Sequence, residues 1–553
     1  MQTEATTIEP VLERVSADLL MEYTANISQW VRLSGSEDER KAFAYIDQTL
    51  KSWGLTTRSY APLSLTSWPI SASLVVNGET FRCITHSFST STAPEGITAE
   101  VIYAGEGTRE ELEKAGVAGK IALVEGPGSP GKAAAAEGTG AVGVIHISPG
   151  EQIKEMILSP VWGSPNTDNI SDLPTLPHVS VNGASGDAIK ALLEKGPVTA
   201  TMTTEVDTTW RELPVLVADI APATPSGDFV LLSGHVDSWH YGAIDNGTAD
   251  AAAMETVRIV NELRDNLKRG VRVAFWSGHS HARYATSSWY ADEFFVELHE
   301  HCVAHVNIDG PGAKNATILS EALTMGETYG LARELIAEIG GQELNYRRMS
   351  RMGDQSFWGV GFPSLYVNIS NVDSNGTMEW YHTPLDTMDY IDPELLARDT
   401  KILASTVYRL AVDERLPIDQ TGAVTEIIDA LDEIAGQSGG AIDLAPVKAD
   451  AERLLGLAKQ LNDLADVDAF NRTAMRVSRI LMPVNYTVHG PFVQDAALSA
   501  PSLPGLRSVI ALGKLPNPSP ERSLLEVSVR RERNRLHVAL RDAAATIESA
   551  LAG

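Results

Sequence analysis

The stretch DFVLLSGHVDSWHYGAIDNGTADAAAMETVRIV, residues 228–260, decides the fold of this chain. It opens with an apolar run of the length of a buried strand and continues into a segment with the composition of a helix. A second apolar run, GVRVAFWSGH at residues 270–279, follows, and the runs CVAHVNIDG and FPSLYVNI repeat the theme further on. This alternation predicts the α/β class, with a mostly parallel or mixed sheet between two layers of helices.

The flanking regions have a different texture. With 553 residues the chain exceeds what one hydrophobic core supports, so two or three domains are expected. Short strand-like runs and small-residue turns at 98–205 predict a β-rich insert, which leaves 1–97 and 206–415 for the α/β domain. Residues 416–553 are predicted to be mainly helical, with a Pro-rich, irregular segment around 483–520. Near the N-terminus, SEDERKAFAYIDQTLKSWG opens with a serine cap and an acidic first turn, which predicts a helix.

Composition limits the partners of the protein. The chain has 44 Lys and Arg against 72 Asp and Glu, a formal charge of −28, which would repel nucleic acid and an anionic membrane. No apolar run reaches the length of a membrane span, and the acidic N-terminus lacks the pattern of a signal peptide. The two cysteines, Cys83 and Cys302, suit a reducing compartment. We therefore expect a cytoplasmic protein that acts on a small molecule or a short peptide.

Histidines and aspartates follow the predicted strands at the points where each strand ends. They are His235, Asp237, His240 and Asp245 after the first strand, His279 and His281 after the second, Asp309 after the third, and His382 in the later loop EWYHTPLDT. Open α/β sheets place their ligands at the carboxyl ends of strands, so these side chains should lie close together. Imidazole nitrogen and carboxylate oxygen suit zinc or a related divalent ion.

The motifs resemble those of the di-zinc aminopeptidases of peptidase family twenty-eight, in particular its glutamate-carboxypeptidase and transferrin-receptor branch. The similarity starts at LLSGHVDSWHYGAIDNGTADAAAMETVRIV and continues through VRVAFWSG, HVNIDGPG, GFPSLYVN and YHTPLDTMDYIDPE, over roughly 228–413. Residues 98–205 resemble the protease-associated insert of that branch. The C-terminal helices resemble its dimerisation domain, which implies a homodimer.

The resemblance implies a role for each candidate ligand. His235 and Asp309 would hold one metal ion, Asp245 would bridge two ions, and His382 would serve the second. Asp237 would orient His235 and fix its tautomer. Zinc is the expected metal, as one or two ions, although a nitrogen-rich site also suits nickel, cobalt, iron or manganese.

One segment departs from the family. The family has two adjacent glutamates after the FW strand, a general base and a metal ligand, whereas this chain reads SGHSHARY. Aligned without a gap, His279 takes the position of the base and Ser280 that of the ligand. With one inserted residue, His281 becomes the ligand, and we favour this version because imidazole binds zinc better than a hydroxyl does. His279 would then carry the proton, as neutral imidazole does near neutral pH.

Other polar and aromatic side chains are candidates for binding substrate. They are His240, Tyr241, Arg283, Arg351 and Tyr381. Either guanidinium group could form a two-pronged pair with a carboxylate of the substrate.

These features predict a metal-dependent hydrolase that cleaves an amide bond in a small peptide or small molecule. Two alternatives remain open at this point. The same site could perform a non-hydrolytic lyase or isomerase step, or the protein could be an inactive binding protein like the transferrin receptor. Retention of metal-capable side chains at each strand end favours an enzyme.

Overall fold

The computed structural model describes residues 6–224, 226–498 and 501–553. Its strands are β1 (Thr57–Tyr60), β2 (Leu63–Val76), β3 (Glu79–Phe81), β4 (Ile84–Thr85), β5 (Ile97–Tyr103), β6 (Ile121–Glu125), β7 (Gly143–Ser148), β8 (His178–Asn182), β9 (Val198–Glu212), β10 (Val215–Ile220), β11 (Phe229–His235), β12 (Gly270–Trp276), β13 (Cys302–Asn307) and β14 (Ser364–Leu365).

The helices of the described ranges complete the element order. They are α1 (Glu9–Leu12), α2 (Ala17–Ile27), α3 (Glu37–Ser52), α4 (Arg109–Ala115), α5 (Pro130–Ala136), α6 (Gly183–Leu193), α7 (Ala249–Glu262), α8 (Ala285–Glu293), α9 (Phe295–His301), α10 (Tyr329–Gly340), α11 (Pro393–Val412), α12 (Gln420–Gln437), α13 (Ala445–Asn462), α14 (Val467–Tyr486), α15 (Ser508–Lys514) and α16 (Pro520–Ala552). None of these helices is both long enough and apolar enough to cross a membrane.

The central sheet of the described chain has the strand order β1-β10-β12-β11-β13-β14. Strands β12, β11, β13 and β14 run parallel, whereas β10 and β1 are antiparallel to their neighbours. Alternate residues of β11 face opposite sides of the sheet: Val230 and Leu232 join the core that contains α7 and α11, and Phe229 and Leu231 join the core with α8 and α9. Both faces of β11 are apolar because both are covered. The predicted α/β class is confirmed.

A second sheet, ordered β3-β2-β9-β5-β6-β7-β8-β4 in the described residues, contains the insert. Strands β5 to β8 are parallel, and the long strands β2 and β9 pair antiparallel along most of their length. The sheet has its own hydrophobic core. It starts at Leu63, well before the predicted boundary at residue 98, because β2 belongs to this sheet through its pairing with β9.

Helices α12 to α16 form the helical region that the sequence predicts. The irregular segment is shorter than expected, because α14 passes through Pro483 and ends at Tyr486, and α15 lies within 483–520. Dimerisation through this region stays a prediction.

Candidate active site

The carboxyl ends of three parallel strands form the floor of the site. β11 ends at His235, which pairs with the last residue of β12, and β13 on the other side of β11 ends just before Asp309. Since neighbouring parallel strands end at the same edge, the polar loops that follow them meet there. The later loop with His382 meets this edge, where His382 Nε2 lies 3.1 Å from Asp245 Oδ2.

Asp245 lies between two histidines. His235 Nε2 is 3.3 Å from Asp245 Oδ1 and 3.7 Å from Asp309 Oδ1, while His382 Nε2 is 3.1 Å from Asp245 Oδ2. The main-chain N–H groups of Ile244 and Asp245 donate to the buried carboxyl group of Asp386 at 2.7 and 3.0 Å, which holds the turn that carries Asp245.

Main-chain carbonyl groups define the tautomers of both histidines. His235 Nδ1 donates to the carbonyl oxygen of Asp237 at 2.9 Å, and His382 Nδ1 donates to that of Glu155 at 2.7 Å. A carbonyl oxygen only accepts, so Nδ1 carries the proton in each ring and the neutral ring presents a lone pair at Nε2. Each lone pair therefore faces an oxygen of Asp245, an arrangement that a cation between the two atoms stabilises.

The donor set fits a divalent metal ion. His235, His279 and Asp309 each offer a ligand atom, and these atoms lie within 4.8 Å of one another. Tetrahedral zinc at its usual ligand distances separates its ligand atoms by about 3.3 Å. His235 Nε2 is buried and has no hydrogen-bond partner among the described residues. Burial lowers the pKa of His235, but the nearby carboxylates of Asp237, Asp245 and Asp309 outweigh it and raise the pKa well above its usual value. The site thus attracts positive charge.

His279 is held by a carboxylate that the sequence did not single out for this role. His279 Nδ1 donates to Asp354 Oδ2 at 3.0 Å, and Asp354 is buried and also accepts from Ser287 Oγ at 2.7 Å. The ring of His279 stacks on that of His235 with 3.6 Å between the centroids. Asp354 therefore leaves Nε2 of His279 as the free nitrogen, available for a proton or a metal ion. The sequence signal was weak: Asp354 lies in SRMGDQSFW, far along the chain.

Asp237 orients His235 through its main chain, whereas the carboxylate was expected to do so. Its carboxylate lies 3.6 Å from His235 Nδ1, whereas its main-chain carbonyl makes the shorter contact. The carboxylate instead accepts from Ser34 Oγ at 2.6 Å and from the main-chain N–H groups of Ser280 and His279 at 2.8 and 3.2 Å. Asp237 thus orients His235 through its backbone and shapes the loop of His279 through its side chain.

The structure does not group His281 with His235 and Asp309, and its role as a ligand stays a prediction. His279, aligned without a gap, is the residue grouped with His235 and Asp309. His281 is fully buried, its Nδ1 lies 3.1 Å from Ser34 Oγ, and its ring packs against Trp239. Burial lowers the pKa of His281 to about 4, so the ring is neutral.

The predicted substrate-binding residues divide into two groups. Tyr381 stacks on His382 with 3.8 Å between centroids, His240 Nε2 lies 3.3 Å from Glu155 Oε1, and the side chain of Tyr241 is exposed. Arg283 packs over the ring of Tyr284, with its guanidinium 4.9 Å from the ring centre. These four residues remain candidates for the wall of the cleft.

Arg351 does not belong to that wall. It is buried, its guanidinium lies 3.6 Å from Asp495 and donates to Gln494 at 2.9 Å, and it packs over Trp162. Its charge is therefore used in a structural contact with the C-terminal region. The sequence placed Arg351 before a strand but gave no sign of the partner Asp495, which lies far along the chain.

The imidazole and carboxylate groups lie around one cation position at the strand ends of an α/β sheet. This is the architecture of a metallohydrolase. Comparison with known families identifies it further. Residues 216–407 match the model of peptidase family M28, and residues 70–189 match that of the PA domain. The chain thus contains a peptidase family M28 domain and a PA domain inserted before its main part, and the resemblance inferred from the motifs is confirmed.

Individual relatives agree with this assignment. Mouse carboxypeptidase Q is 25% identical over 415 residues, which cover 70% of this chain and 84% of that protein. Among solved structures, an aminopeptidase from Aneurinibacillus sp. strain AM-1 is 23% identical with a TM-score of 0.58, covering 73% of this chain and 96% of its own. A zinc aminopeptidase from Bacillus subtilis is 22% identical with a TM-score of 0.56, covering 72% and 96%. At the level of the class, the prediction of a metallohydrolase is confirmed, and the matches leave its substrate undefined.

Proposed function

We propose that this protein hydrolyses an amide bond of a short peptide or peptide-like small molecule, with His279 as the proton carrier. The observation that carries the proposal is the pair of His279 and Asp354, which points a free imidazole nitrogen at the same site as His235 and Asp309. The relatives are carboxypeptidases and aminopeptidases, so a terminal peptide bond is the proposed target.

His235, Asp245 and Asp309 would hold a divalent cation, with zinc as the proposed metal. His382, whose Nε2 lies 3.1 Å from Asp245 Oδ2, would hold a second ion together with Asp245. Three protein ligands and one open position are typical of a catalytic zinc site. When bound, such an ion acts as a Lewis acid that polarises the substrate carbonyl and lowers the pKa of water.

His279 would move the proton between water and the leaving group. Its Nε2 accepts a proton from the attacking water while the Nδ1–H bond to Asp354 stabilises the positive charge that develops on the ring. The imidazolium then donates the proton to the departing amine, so that an acid and an amine are formed and His279 returns to its neutral form. The glutamate that the family uses for this step is absent, and the imidazole replaces it.

A substitution of His279 separates this role from that of a metal ligand. In His279→Gln, kcat should fall by about 10²- to 10⁴-fold, the usual contribution of general acid–base catalysis, while the zinc content of the purified protein stays at the wild-type level. His281→Gln is the matched control, because this buried neighbour lies outside the group. It should keep both the metal and most of the activity.

The zinc content of the two variants also tests the assignment of the metal ligands. Loss of zinc in His279→Gln would make His279 a ligand, and loss of zinc in His281→Gln would restore the inserted-residue alignment. Substrates come from a screen of dipeptides and small amides in ¹⁸O-labelled water, where hydrolysis places the label in the product. Turnover without label would favour the lyase or isomerase alternative.

A further inference from the structure

The PA domain reaches into the site through a short segment without regular structure. We call residues 154–158, between β7 and β8, the strap. The strap is fixed to the insert by main-chain hydrogen bonds around Ser87, which donates to Met156 at 3.2 Å and accepts from Leu158 at 3.0 Å. The side chains of Ile157 and Leu158 are buried. These hydrogen bonds and buried side chains hold the strap in place against the rest of the insert.

One residue of the strap makes a reciprocal pair with His382. The main-chain N–H of Glu155 donates to the carbonyl oxygen of His382 at 3.0 Å, and the carbonyl oxygen of Glu155 accepts from His382 Nδ1 at 2.7 Å. Tyr381 stacks on the imidazole ring of His382, and Lys154 Nζ lies 5.3 Å from the centre of the Tyr381 ring. Two neighbouring residues of the strap thus contact the loop of His382.

His382 needs such support because of its backbone. Its φ is +58°, in the left-handed region that non-glycine residues rarely adopt and that costs about 1–3 kcal/mol unless the surroundings enforce it. Its ring must also present Nε2, not Nδ1, to Asp245. The two hydrogen bonds with Glu155 support both features. One holds the backbone carbonyl of His382, and the other fixes the proton on Nδ1.

We propose that Glu155 is a positioning residue of the catalytic site, through which the PA domain holds His382 in the tautomer that presents Nε2 to Asp245. This inference rests on the proposed function for its catalytic consequence, but the tautomer and the loop conformation belong to the metal-free protein as well. The PA domain would thereby take a direct part in arranging the catalytic site.

The main chain of Glu155, and not its carboxylate, carries this role. The carboxylate lies 3.3 Å from His240 Nε2 and makes no contact with His382 among the described hydrogen bonds. Glu155→Ala keeps both main-chain bonds to His382. Glu155→Pro removes the N–H donor and constrains φ, so it disturbs the pair directly. The two substitutions separate the backbone from the side chain at one position.

The experiment compares these variants with a proline control in the same loop. Thr167→Pro serves as the control, because Thr167 is exposed and lies in the part of the loop that makes no contact with His382. The readouts are the zinc dissociation constant by titration of the metal-free protein and the ¹⁵N shifts of the His382 ring, assigned by comparison with His382→Gln. Circular dichroism and thermal unfolding check that each variant is folded.

Glu155→Pro should weaken zinc binding by about 10- to 100-fold, the usual effect of losing a partner of a metal-binding histidine, and should lower kcat more than it changes KM. The His382 ring should change from a single Nδ1–H tautomer to a mixture. Glu155→Ala and Thr167→Pro should bind zinc and show the tautomer as the wild type does. If Glu155→Pro keeps the wild-type tautomer and zinc affinity, or if Glu155→Ala loses both, the inference is wrong.

Failure of the proposed function gives a different result. If His235→Ala retains full zinc binding and activity, the metal-dependent mechanism fails, whatever the Glu155 variants show. If His235→Ala abolishes both and Glu155→Pro changes neither, only the positioning role fails. If Glu155→Pro does not fold, the ¹⁵N shifts of the His382 ring in the metal-free wild-type protein give a second test. A ring that carries its proton on Nε2 there would overturn the proposal.

Discussion

Replacing Asp354 by asparagine tests the proton carrier through the residue that orients it. The carboxylate accepts the Nδ1 proton of His279 at 3.0 Å in a buried setting, and hydrogen bonds to charged groups contribute about 1.5–3 kcal/mol. This bond strengthens when His279 becomes an imidazolium, so its loss should appear in the activation barrier. That free energy corresponds to a fall in kcat of about 10- to 150-fold, with KM and zinc content little changed.

The assay measures steady-state kinetics on a hydrolysed dipeptide or amide, together with metal analysis of the same preparation. Ser287→Ala is the matched control, since Ser287 Oγ donates to the other carboxylate oxygen of Asp354 at 2.7 Å. Losing this neutral donor should lower kcat by less than about tenfold. In the double variant Asp354→Asn with His279→Gln, activity should match that of His279→Gln alone. A zinc-loaded Asp354→Asn protein with the kcat of the wild type would refute the role of the pair.

Two further predictions concern stability. Burial lowers the pKa of His86 and His178 to about 3 in the folded protein. As the pH falls below about 6.5, only the unfolded chain binds protons at these two histidines. The free energy of unfolding should therefore fall by about 1.4 kcal/mol per pH unit for each histidine. Urea unfolding at pH 7.5 and 5.5 measures this, and equal stability at both values would contradict it. Arg351→Ala should cost about 1.5–3 kcal/mol, because it removes the charged hydrogen bond to Gln494, while the N–H groups of Val488 and His489 still donate to Asp495. KM should stay unchanged in the folded fraction, and a raised KM at full stability would place Arg351 in the cleft.

Local patterns predicted the elements that carry the site. Ser36 caps α3 as expected, with its Oγ accepting from the N–H of Glu39, and the apolar runs around His235 and Trp276 form neighbouring parallel strands. These features depend on residues close in sequence, where periodicity and capping act. Polar residues at the carboxyl ends of parallel strands lie close together, and this rule predicted the proximity of His235 and Asp309.

Contacts between distant segments were not predictable in this way. Asp354 reaches His279, and Glu155 reaches His382, only because the chain returns to the sheet edge after long excursions. The arrangement of His279 and His281 depends on the loop and was not predictable from ligand chemistry alone. His279 lies beside His235 and Asp309, whereas Nδ1 of His281 lies 3.1 Å from Ser34 Oγ.

A crystal structure of the zinc-soaked protein tests the central claim most directly. Anomalous scattering at the zinc edge should show an ion within about 2.0–2.2 Å of His235 Nε2, Asp309 and Asp245, with His279 still bonded to Asp354 and its Nε2 uncoordinated. Zinc bound elsewhere, or a protein that hydrolyses its substrate with this position empty, would contradict the account.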